Sequence, residues 1–467
     1  MAYEILEKVF KPKSIALIGA SRDPKKLGNI ILKNIMEGGF KGNIFPVNPN
    51  AEKVYGLETY QSITKIPVDI DLAIIAVPSI AVPTVLQECI EKGVKVGIII
   101  SAGFRETGAN GEDLEKVVTK IAKEGGIRIL GPNCLGVVNA TEKMDATLSR
   151  VIDPKGLKEG NIAFISQSGA FGASLYSWAQ GKGIGFDKLV SLGNMCDIDE
   201  SDILEYLGTD DGTKVIVMYI EGVKDGKKFL NTAKKVSVIK PIVAMKIGRS
   251  SMGARAAKSH TGALTGAEAV YNAAFKQSGV IRAMNASEMF DFAKALATQP
   301  LPKGNKMVII TNAGGPGVAA ADACQDEGLD LVEIDEETRK VLRGLLPPFA
   351  SALNPIDTTP QVSPKVNREI LITLLKKEEV HGAISIIVGS EPRRYAEEVA
   401  DAHVGFTKTF NKPVLLSWIA DKSAEDLIIK LETNGVPVYE TPERAVKSMS
   451  ALRRYSEFRN KCSKINN

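Results

Sequence analysis

The amino-acid sequence predicts an α/β protein made of successive doubly wound units, each with a parallel sheet. From residue 13 onward, apolar runs of strand length alternate with amphipathic stretches of helix length, the pattern of parallel strands joined by helical crossovers. The 467 residues exceed what one hydrophobic core usually serves. Hydrophobic residues make up 44% of the chain and charged residues 24%, which excludes a disordered, collagen-like or coiled-coil chain.

The first predicted domain covers residues 1–145. Its strands and helices alternate up to about residue 132, and residues 137–160 look irregular. The predicted strands are SIALIG, NIFPVNP, LAIIAVP, VGIIISAG and RILGP, and the predicted helices are LGNIILKNIMEGG, VPTVLQECIEKG and EDLEKVVTKIAKEGG.

Two further predicted domains, residues 146–300 and 301–467, repeat the alternation. The segment QPLPKGNK, rich in Pro, Gly and Lys, separates them. A final helix is predicted from Thr441 to Arg459. The predicted strands are NIAFISQ, KLVSLGN, KVIVMYIEG and PIVAMKIG in the second domain, and MVIITNAGG, LDLVEI, GAISIIVGS and PVLLSWIA in the third.

Charge and cysteine content exclude several classes of protein. The net charge of +4 is too small for this length to indicate nucleic-acid binding. The five cysteines are widely spaced and form no C-x-x-C pair, which indicates a reducing cytoplasm. The N-terminus lacks a continuous signal-peptide core, and no apolar run reaches about 18 residues, so we expect a cytoplasmic protein without a membrane span.

The first strand leads into a turn that resembles a dinucleotide-binding loop but lacks its fingerprint. Gly19 is followed by Ser21 and Pro24 where G-x-G-x-x-G needs glycines, and the second strand ends at Asn48 without a carboxylate for a ribose. Cations beside a helix N-terminus suit a ligand with several phosphates, such as coenzyme A, although a solvated basic loop is the alternative. The cations of this turn are Arg22, Lys25 and Lys26.

Two later turns share one pattern, an apolar strand, then small residues, then a helix. They occur in IAFISQSGAFGASLYSWAQGKG and MVIITNAGGPGVAAADACQDEG. Such turns expose backbone N–H groups at a helix N-terminus, where the helix dipole also favours anions, so the two could converge on one phosphate. Close packing of strand against helix explains the small residues equally well.

Other nucleotide, hydrolase and metal motifs are missing from the sequence. The nearest match to a P-loop runs from Gly248 to Gly253 but continues with Ala254. Ser168 follows Gln167 and is not part of a G-x-S-x-G elbow. The three histidines and unpaired cysteines form no zinc pattern, so we expect no metal.

The segment GRSSMGARAAKSHTGALTG, residues 248–266, is too polar and glycine-rich to form a core. It contains His260, whose neutral imidazole would be a good nucleophile toward phosphorus; the alternative is an ordinary surface histidine. Such a nucleophile needs a partner for its other ring nitrogen. Glu221, at the C-terminal end of a predicted strand, is the candidate, with a structural acid at a strand end as the alternative.

Seven segments together resemble one family. In order they are GASRDPKKLGN, GPNCLG, SQSGAFG, MYIEG, GARAAKSHTGALTG, TNAGGPG and NPID. They closely resemble the alpha subunit of ADP-forming acetyl-CoA synthetases, also called NDP-forming acyl-CoA synthetases, of the succinyl-CoA synthetase superfamily. The resemblance runs from about residue 5 to the C-terminus, and its most specific part is SHTGALTG.

This resemblance implies a Rossmann-like CoA-binding domain followed by two flavodoxin-like ligase domains. It implies a reversible reaction in which acyl-CoA, phosphate and ADP give acid, CoA and ATP through an acyl phosphate and a phosphohistidine. His260 would be phosphorylated and Glu221 would orient it. The phosphate would be held by Ser168, Gly169 and Ala170 together with Gly314 and Gly315. Coenzyme A would be bound by Gly19, Ser21, Arg22, Asp23, Lys26, Asn48, Ser101, Ala102, Gly103 and Phe104, with Asn133 near the thioester.

Fused members of the family also carry an ATP-grasp domain, for which no sequence is left after the third predicted domain. The resemblance therefore implies that Mg-ADP or Mg-ATP binds to a separate ATP-grasp beta subunit, in an α2β2 heterotetramer. Two rival functions are a CoA-binding regulatory or sensor protein and a succinyl-CoA synthetase-type alpha subunit. The presence of His260 and Glu221 argues against the first. The third predicted domain and the SHTGALTG loop argue against the second.

Overall fold

The computed structural model describes residues 2–253, 255, 267–390 and 392–465. The chain divides into two compact units. The first comprises Met1–Gly181 and Gly185–Arg282, and the second comprises Lys182–Ile184 and Ala283–Asn467.

The first unit begins with a five-stranded parallel sheet in the order β2–β1–β5–β6–β7, with β3 and β4 as a separate antiparallel ribbon. The strand order reverses between β1 and β5, and in open α/β sheets ligands bind outside the strand ends at such a point. The strands are β1 (Ser14–Ile18), β2 (Asn43–Val47), β3 (Lys53–Val54), β4 (Leu57–Glu58), β5 (Leu72–Ile75), β6 (Val96–Ile99) and β7 (Arg128–Leu130). The helices are α1 (Ala2–Phe10), α2 (Leu27–Gly38), α3 (Val82–Glu91) and α4 (Ala109–Gly125).

A seven-stranded sheet follows, in the order β14–β13–β12–β10–β11–β8–β9. Strands β10 to β13 are parallel to their neighbours among themselves, whereas β8 pairs antiparallel with β11 and β9. The strands are β8 (Gly136–Asn139), β9 (Met144–Thr147), β10 (Glu159–Ser166), β11 (Phe186–Ser191), β12 (Val215–Ile220), β13 (Ile242–Lys246) and β14 (Ile281–Ala283). The helices are α5 (Gly169–Gly181), α6 (Glu200–Thr209), α7 (Gly226–Ile239) and α8 (Glu268–Ser278).

The expectation that residues 137–160 are irregular is wrong for β8, β9 and the start of β10. Both short strands are fully buried, so they lack the alternation of a half-exposed strand. The Asn139 amide donates to the Phe10 carbonyl at 2.9 Å, and the Thr147 hydroxyl donates to Asp145 Oδ1 at 2.6 Å, whereas the buried Asp145 Oδ2 has no hydrogen-bond partner among the described residues. These strands extend the second sheet from residues on both sides of the predicted boundary at 145.

The second unit contains a parallel sheet in the order β16–β15–β18–β19–β20, and β17 also pairs with β15. Its strands are β15 (Lys306–Thr311), β16 (Asp330–Leu331), β17 (Ile356–Asp357), β18 (Gly382–Val388), β19 (Val414–Ile419) and β20 (Val438–Tyr439). Its helices are α9 (Ala286–Thr298), α10 (Gly314–Asp326), α11 (Glu336–Leu345), α12 (Pro364–Leu375), α13 (Arg393–His403), α14 (Phe406–Phe410), α15 (Glu425–Thr433) and α16 (Pro442–Ile465).

The predicted C-terminal helix is confirmed as α16, which packs against α9. The Arg444 guanidinium forms two bonds to the Asp291 carboxylate, at 2.7 and 3.0 Å. Together the sheets confirm the predicted fold class, an α/β protein with mainly parallel sheets. Among the helices that the structure describes, none is both long and apolar enough to cross a bilayer.

His403 is a buried histidine of the second unit, with a relative exposure of 4%. Its Nδ1 lies 2.8 Å from the Val399 carbonyl, which can only accept, so Nδ1 carries the proton. Its Nε2 then accepts from the Ser385 hydroxyl at 2.8 Å. Burial lowers the pKa of His403 to about 4, so the ring is neutral and structural in the folded protein.

We predict that His403 makes the second unit less stable in acid. In the unfolded chain the ring takes up a proton near pH 6.5, whereas the folded ring stays neutral until about pH 4. The contribution of the neutral His403 ring to the free energy of unfolding is therefore fully present above pH 6.5. Below that pH it falls by roughly 1.4 kcal/mol per pH unit, or about 2 kcal/mol by pH 5. Denaturant unfolding at pH 7 and pH 5 measures this loss. His403→Gln should remove most of it, and His381→Gln should retain it; equal losses in both variants would contradict the assignment.

Candidate active site

The first turn lies at the carboxyl end of β1, where the strand order of the first sheet reverses. Gly19 has a φ of +94°, and its N–H donates to the Val47 carbonyl at 3.1 Å. A Cβ at this position would collide with the Ala76 carbonyl. The turn is therefore closed against the end of β5, and only glycine fits both the angle and the space.

The residues after Gly19 form a braced turn with exposed charges. The Ser21 hydroxyl accepts from the Asp23 N–H at 3.1 Å, and the Asn48 amide donates to the Ala20 carbonyl at 2.7 Å. Lys26 precedes α2, and its side chain does not cap the helix. The side chains of Arg22, Asp23, Lys25 and Lys26 are exposed, whereas Ser21 is buried. Ser21 and Asn48 thus shape the turn, and the cations around the start of α2 face solvent, where they could receive phosphates.

The segment 101–104 follows β6 at the same edge of the sheet. The Ser101 hydroxyl donates to the Val77 carbonyl at 2.5 Å. The N–H groups of Gly103 and Phe104 donate to Glu106 Oε1 at 2.6 and 3.0 Å. Phe104 is buried and Ala102 is exposed. A carboxylate therefore occupies the position that these two N–H groups offer to an anion.

Asn133 lies beside this segment. It is exposed, has a left-handed φ of +56°, and donates its N–H to the Ser101 carbonyl at 2.9 Å. One edge of the first sheet thus carries the predicted CoA-binding residues, which are Gly19, Ser21, Arg22, Asp23, Lys26, Asn48, 101–104 and Asn133. Next to Asn133, burial raises the pKa of Cys134 to about 12, so this cysteine stays a thiol and is not a nucleophile.

Asn194 is a residue that the sequence reasoning missed. Its amide donates to Glu106 Oε2 at 2.7 Å and Glu115 Oε2 at 2.8 Å, and its backbone N–H donates to the Pro132 carbonyl at 2.8 Å. Burial acts to raise the pKa of Glu106, but the bonds from Asn194 and from the N–H groups of Phe104 and Gly103 lower it. The polar run SLGNMCDID after an apolar strand was the available signal. Asn194 joins the predicted CoA-binding edge of the first sheet to the second sheet.

The turn after β10 contains the first predicted phosphate site. The Ser166 hydroxyl donates to the Ser168 carbonyl at 2.7 Å, and α5 begins at Gly169. A Cβ at Gly172 would lie 2.6 Å from the Ser166 Oγ, so glycine lets α5 start directly over the end of the strand. Ser168 and Gly169 are partly exposed, and Ala170 is exposed.

Glu221 follows β12, which pairs with β10, so it lies one strand away from this turn. The residue is 7% exposed. Burial, and then the charge of Glu221, raise the pKa of Tyr219 to about 12. On the other side of β12, Lys246 ends β13 opposite Ile220. Burial lowers the pKa of this lysine.

His260 lies outside the described residues, as do its neighbours 256–259 and 261–266. The segment that contains it leaves β13, the strand next to the one that carries Glu221.

The turn after β15 in the second unit is built like the turn after β10. The Thr311 hydroxyl donates to the Ala313 carbonyl at 2.8 Å, and α10 begins at Gly314. Gly317 takes the place of Gly172, with its Cβ position 3.0 Å from the Thr311 methyl group. The two turns share the same spacing, counted from Ser166 or Thr311. The hydroxyl of this residue donates to the carbonyl two residues later, a helix begins three residues later, and a glycine follows six residues later. Gly315, which follows Gly314, has open space around its Cβ position.

The part of the chain that the structure describes contains no cluster of three or more His, Cys, Asp or Glu side chains that could hold a metal ion.

Comparison with known proteins places these features in a family. Three family models match: a CoA binding domain at residues 13–140, a succinyl-CoA ligase like flavodoxin domain at 159–296, and a ligase-CoA domain at 307–462. The chain is 43% identical to the acetate–CoA ligase [ADP-forming] I subunit alpha of Pyrococcus furiosus, over 98% of this chain and 99% of that one. It is 42% identical to the acetate–CoA ligase [ADP-forming] I of Archaeoglobus fulgidus, over 97% of this chain and 64% of that one.

A solved structure is similar over the whole chain. It is the Ca. Korarchaeum cryptofilum dinucleotide forming acetyl-coenzyme A synthetase 1 in complex with phosphate and ADP. The TM-score is 0.91 at 37% identity, and the match covers 99% of both chains. The family models also confirm the predicted combination of a CoA-binding domain with ligase domains.

We predict that Gly172→Ala destabilises the first unit. Its new methyl group would push the Ser166 hydroxyl away from the Ser168 carbonyl, and such overpacking costs about 1–3 kcal/mol. Gly181→Ala, at the end of the same helix, is the control, because its Cβ position has open space; it should be neutral or slightly stabilising. Thermal unfolding of both variants measures the difference, and equal melting temperatures would contradict the close packing.

Proposed function

The chain belongs to the family of ADP-forming acetate–CoA ligase alpha subunits, which are acid–thiol ligases, and from this we propose that it catalyses the CoA half of the ligase reaction through a phosphohistidine at His260. One observation carries the proposal. The Glu221 carboxylate is buried at the end of β12, between the helix start at Gly169 and the strand that leads to His260.

Coenzyme A would bind at the edge of the first sheet. Its phosphates suit the start of α2, where the helix dipole and the exposed cations both favour anions. Lys26 lies directly before the helix, and Arg22 lies in the turn. Asn133, which contacts the Ser101 carbonyl, would lie near the thioester. The Gly103 and Phe104 N–H groups would become available once Glu106 is displaced.

The first chemical step would form an acyl phosphate. A phosphate oxygen attacks the thioester carbonyl, the C–S bond breaks, and CoA leaves as a thiolate that takes up a proton. Ser168 and the backbone N–H groups of Gly169 and Ala170, at the start of α5, would hold the phosphate. Gly314 and Gly315 at the start of α10 are proposed to supply a second such set. These sites act electrostatically, because they place donors where negative charge is carried.

The second step would transfer the phosphoryl group to His260. The imidazole nitrogen attacks phosphorus, the bond to the acyl oxygen breaks, and the carboxylic acid leaves as its anion. Glu221 would accept a hydrogen bond from the other ring nitrogen, which fixes the tautomer and stabilises the positive charge that develops on the ring. The phosphohistidine thereby conserves the free energy of the thioester.

The last step, transfer from phosphohistidine to ADP, is proposed to occur on a separate ATP-grasp beta subunit that holds Mg-ADP. The Pyrococcus furiosus relative is named a subunit alpha and is matched over 99% of its length, which supports a second subunit. An α2β2 heterotetramer is the assembly that we propose.

The CoA site predicts a charge effect at Lys26. Lys26→Ala should raise the Kd for CoA about 10- to 150-fold, because one charge-assisted contact to a phosphate is worth about 1.5–3 kcal/mol. Isothermal titration calorimetry measures this affinity. Lys33→Ala is a matched control, since Lys33 is an exposed lysine within α2, the helix that follows Lys26, and its ammonium group pairs with Glu37 at 4.0 Å. If both variants bind CoA equally well, the phosphates do not bind at this turn.

The catalytic proposal predicts one acid-labile phosphoryl group on the chain. Intact-mass measurement at neutral pH, after mixing with acetyl-CoA and phosphate, should show this adduct in the wild type. It should be absent in His260→Ala, because His260 accepts the phosphoryl group, and strongly reduced in Glu221→Ala, because Glu221 orients the imidazole and stabilises its developing charge.

A panel of other acyl-CoAs tests substrates other than acetyl-CoA, and an ATP-grasp subunit with ATP tests the reverse direction. If CoA binds but no adduct forms in any of these mixtures, the chain is a CoA-binding sensor and the catalytic proposal is wrong.

A further inference from the structure

The side chain of Gln167 is bound at both ends to the residues that follow β12. Its Oε1 accepts from the N–H groups of Glu221 at 2.6 Å and Gly222 at 2.9 Å. Its Nε2 donates to the Gly222 carbonyl at 2.7 Å. Its own backbone N–H donates to the Tyr219 carbonyl at 3.2 Å. One residue therefore ties the phosphate turn to the backbone of Glu221.

We infer that Gln167 is a positioning residue, which fixes the Glu221 carboxylate relative to the start of α5. The inference rests on the proposed function, in which Glu221 orients His260. The backbone after β12 leaves the sheet at Glu221, so the strand ladder does not hold it. Without the Gln167 amide, these N–H and carbonyl groups would need other partners, and the backbone that carries the Glu221 carboxylate would lose its hydrogen bonds to the phosphate turn.

The matching turn of the second unit shows which part of this arrangement is special. Asn312 occupies the position of Gln167, and its backbone N–H donates to the Ile386 carbonyl at 3.3 Å. Its amide binds both the N–H and the carbonyl of Val388, at 2.8 and 3.0 Å. Val388 is the last residue of its strand.

The longer glutamine reaches further. Gln167 stands opposite Ile220, because Ser166 pairs with Tyr219, and it binds one and two residues beyond that position. Asn312 stands opposite Ile387, because Thr311 pairs with Ile386, and it binds one residue beyond. An asparagine would be enough to close the strand end. The additional methylene of glutamine lets its amide reach the backbone of Glu221, which carries the carboxylate, and of Gly222.

The size of the effect follows from what Glu221 must do. Partners that orient a functional group through hydrogen bonds typically change activity 10- to 100-fold when they are removed. A displacement of about 1 Å at a reacting group can cost a similar factor. We therefore expect a change in the rate of phosphoryl transfer and none in CoA binding, because the hydrogen bonds of the Gln167 side chain go to Glu221, Gly222 and Met195, which are not among the proposed CoA-binding residues.

The test compares Gln167→Glu with the wild type. The introduced carboxylate has nearly the same shape and can still accept from both N–H groups, but it has no proton to donate to the Gly222 carbonyl. At pH 7.5 the single-turnover rate of His260 phosphorylation from acetyl-CoA and phosphate should fall about 10- to 100-fold. The KM for acetyl-CoA should stay unchanged. As the pH is lowered and the introduced carboxyl takes up a proton, the rate should recover toward that of the wild type.

Gln299→Glu is the matched control. Gln299 is a buried glutamine of the second unit whose amide also joins two backbone groups, the Val414 N–H at 3.0 Å and the Gly435 carbonyl at 3.0 Å. This variant should lose stability without a change in the phosphorylation rate or its pH profile. Melting temperatures of both variants show whether they are comparably folded.

The outcomes separate the inference from the proposal beneath it. If the wild type forms no phosphohistidine, the proposed function fails and the inference falls with it. If the wild type is phosphorylated and Gln167→Glu matches its rate at pH 7.5, Gln167 has only a structural role and the inference alone is wrong. A reduced rate in Gln167→Glu that does not recover at lower pH would also overturn it, because the donor to Gly222 would then not matter.

Discussion

The site depends on one constraint, that backbone polar groups at the end of a parallel strand lose their partners where the chain leaves the sheet. In both ligase-type sheets the last residue of the strand and the residue after it supply the missing bonds. A hydroxyl, Ser166 or Thr311, turns back onto the carbonyl two residues on. An amide, Gln167 or Asn312, binds across to the neighbouring strand. Because each turn is closed in this way, a helix can begin at once, and its N–H groups face the ligand side of the sheet.

Much of the fold was predictable, because buried parallel strands appear as continuous apolar runs that are easily recognised. The position of Glu221 was predictable for the same reason, since it is the first charge after such a run. The pairing of Gln167 with Glu221 was not, because it depends on which strands are neighbours, and β10 and β12 are separated in sequence by β11. Strands β8 and β9 were missed because they are short, antiparallel and polar in part. The role of His260 stays a prediction.

A second network of hydrogen bonds connects the proposed CoA-binding edge to the turn after β10. Glu106 accepts from the N–H groups of Gly103 and Phe104, and the same carboxylate accepts from Asn194. Asn194 precedes Met195, whose sulfur lies 3.7 Å from the Gln167 amide nitrogen and whose carbonyl accepts from Lys224 at 2.5 Å. An anion that takes the Gly103 and Phe104 N–H groups must displace Glu106 and so remove a partner from Asn194. The contacts thus run continuously from the segment that contains Gly103, Phe104 and Glu106 to the turn after β10.

The difference between the two turns shows how one construction serves two purposes. In both turns the backbone N–H of the amide residue, Gln167 or Asn312, donates to a carbonyl of the neighbouring strand. In both, the side-chain amide then binds the backbone at or just beyond the end of that strand. At the end of β18, asparagine is long enough to bind both the N–H and the carbonyl of Val388, the last residue of the strand. After β12, where Glu221 is proposed to orient His260, the amide side chain is one methylene longer and binds the backbone of Glu221 and Gly222. The length of the side chain that carries the amide therefore matches the position of Glu221, one residue beyond the end of β12.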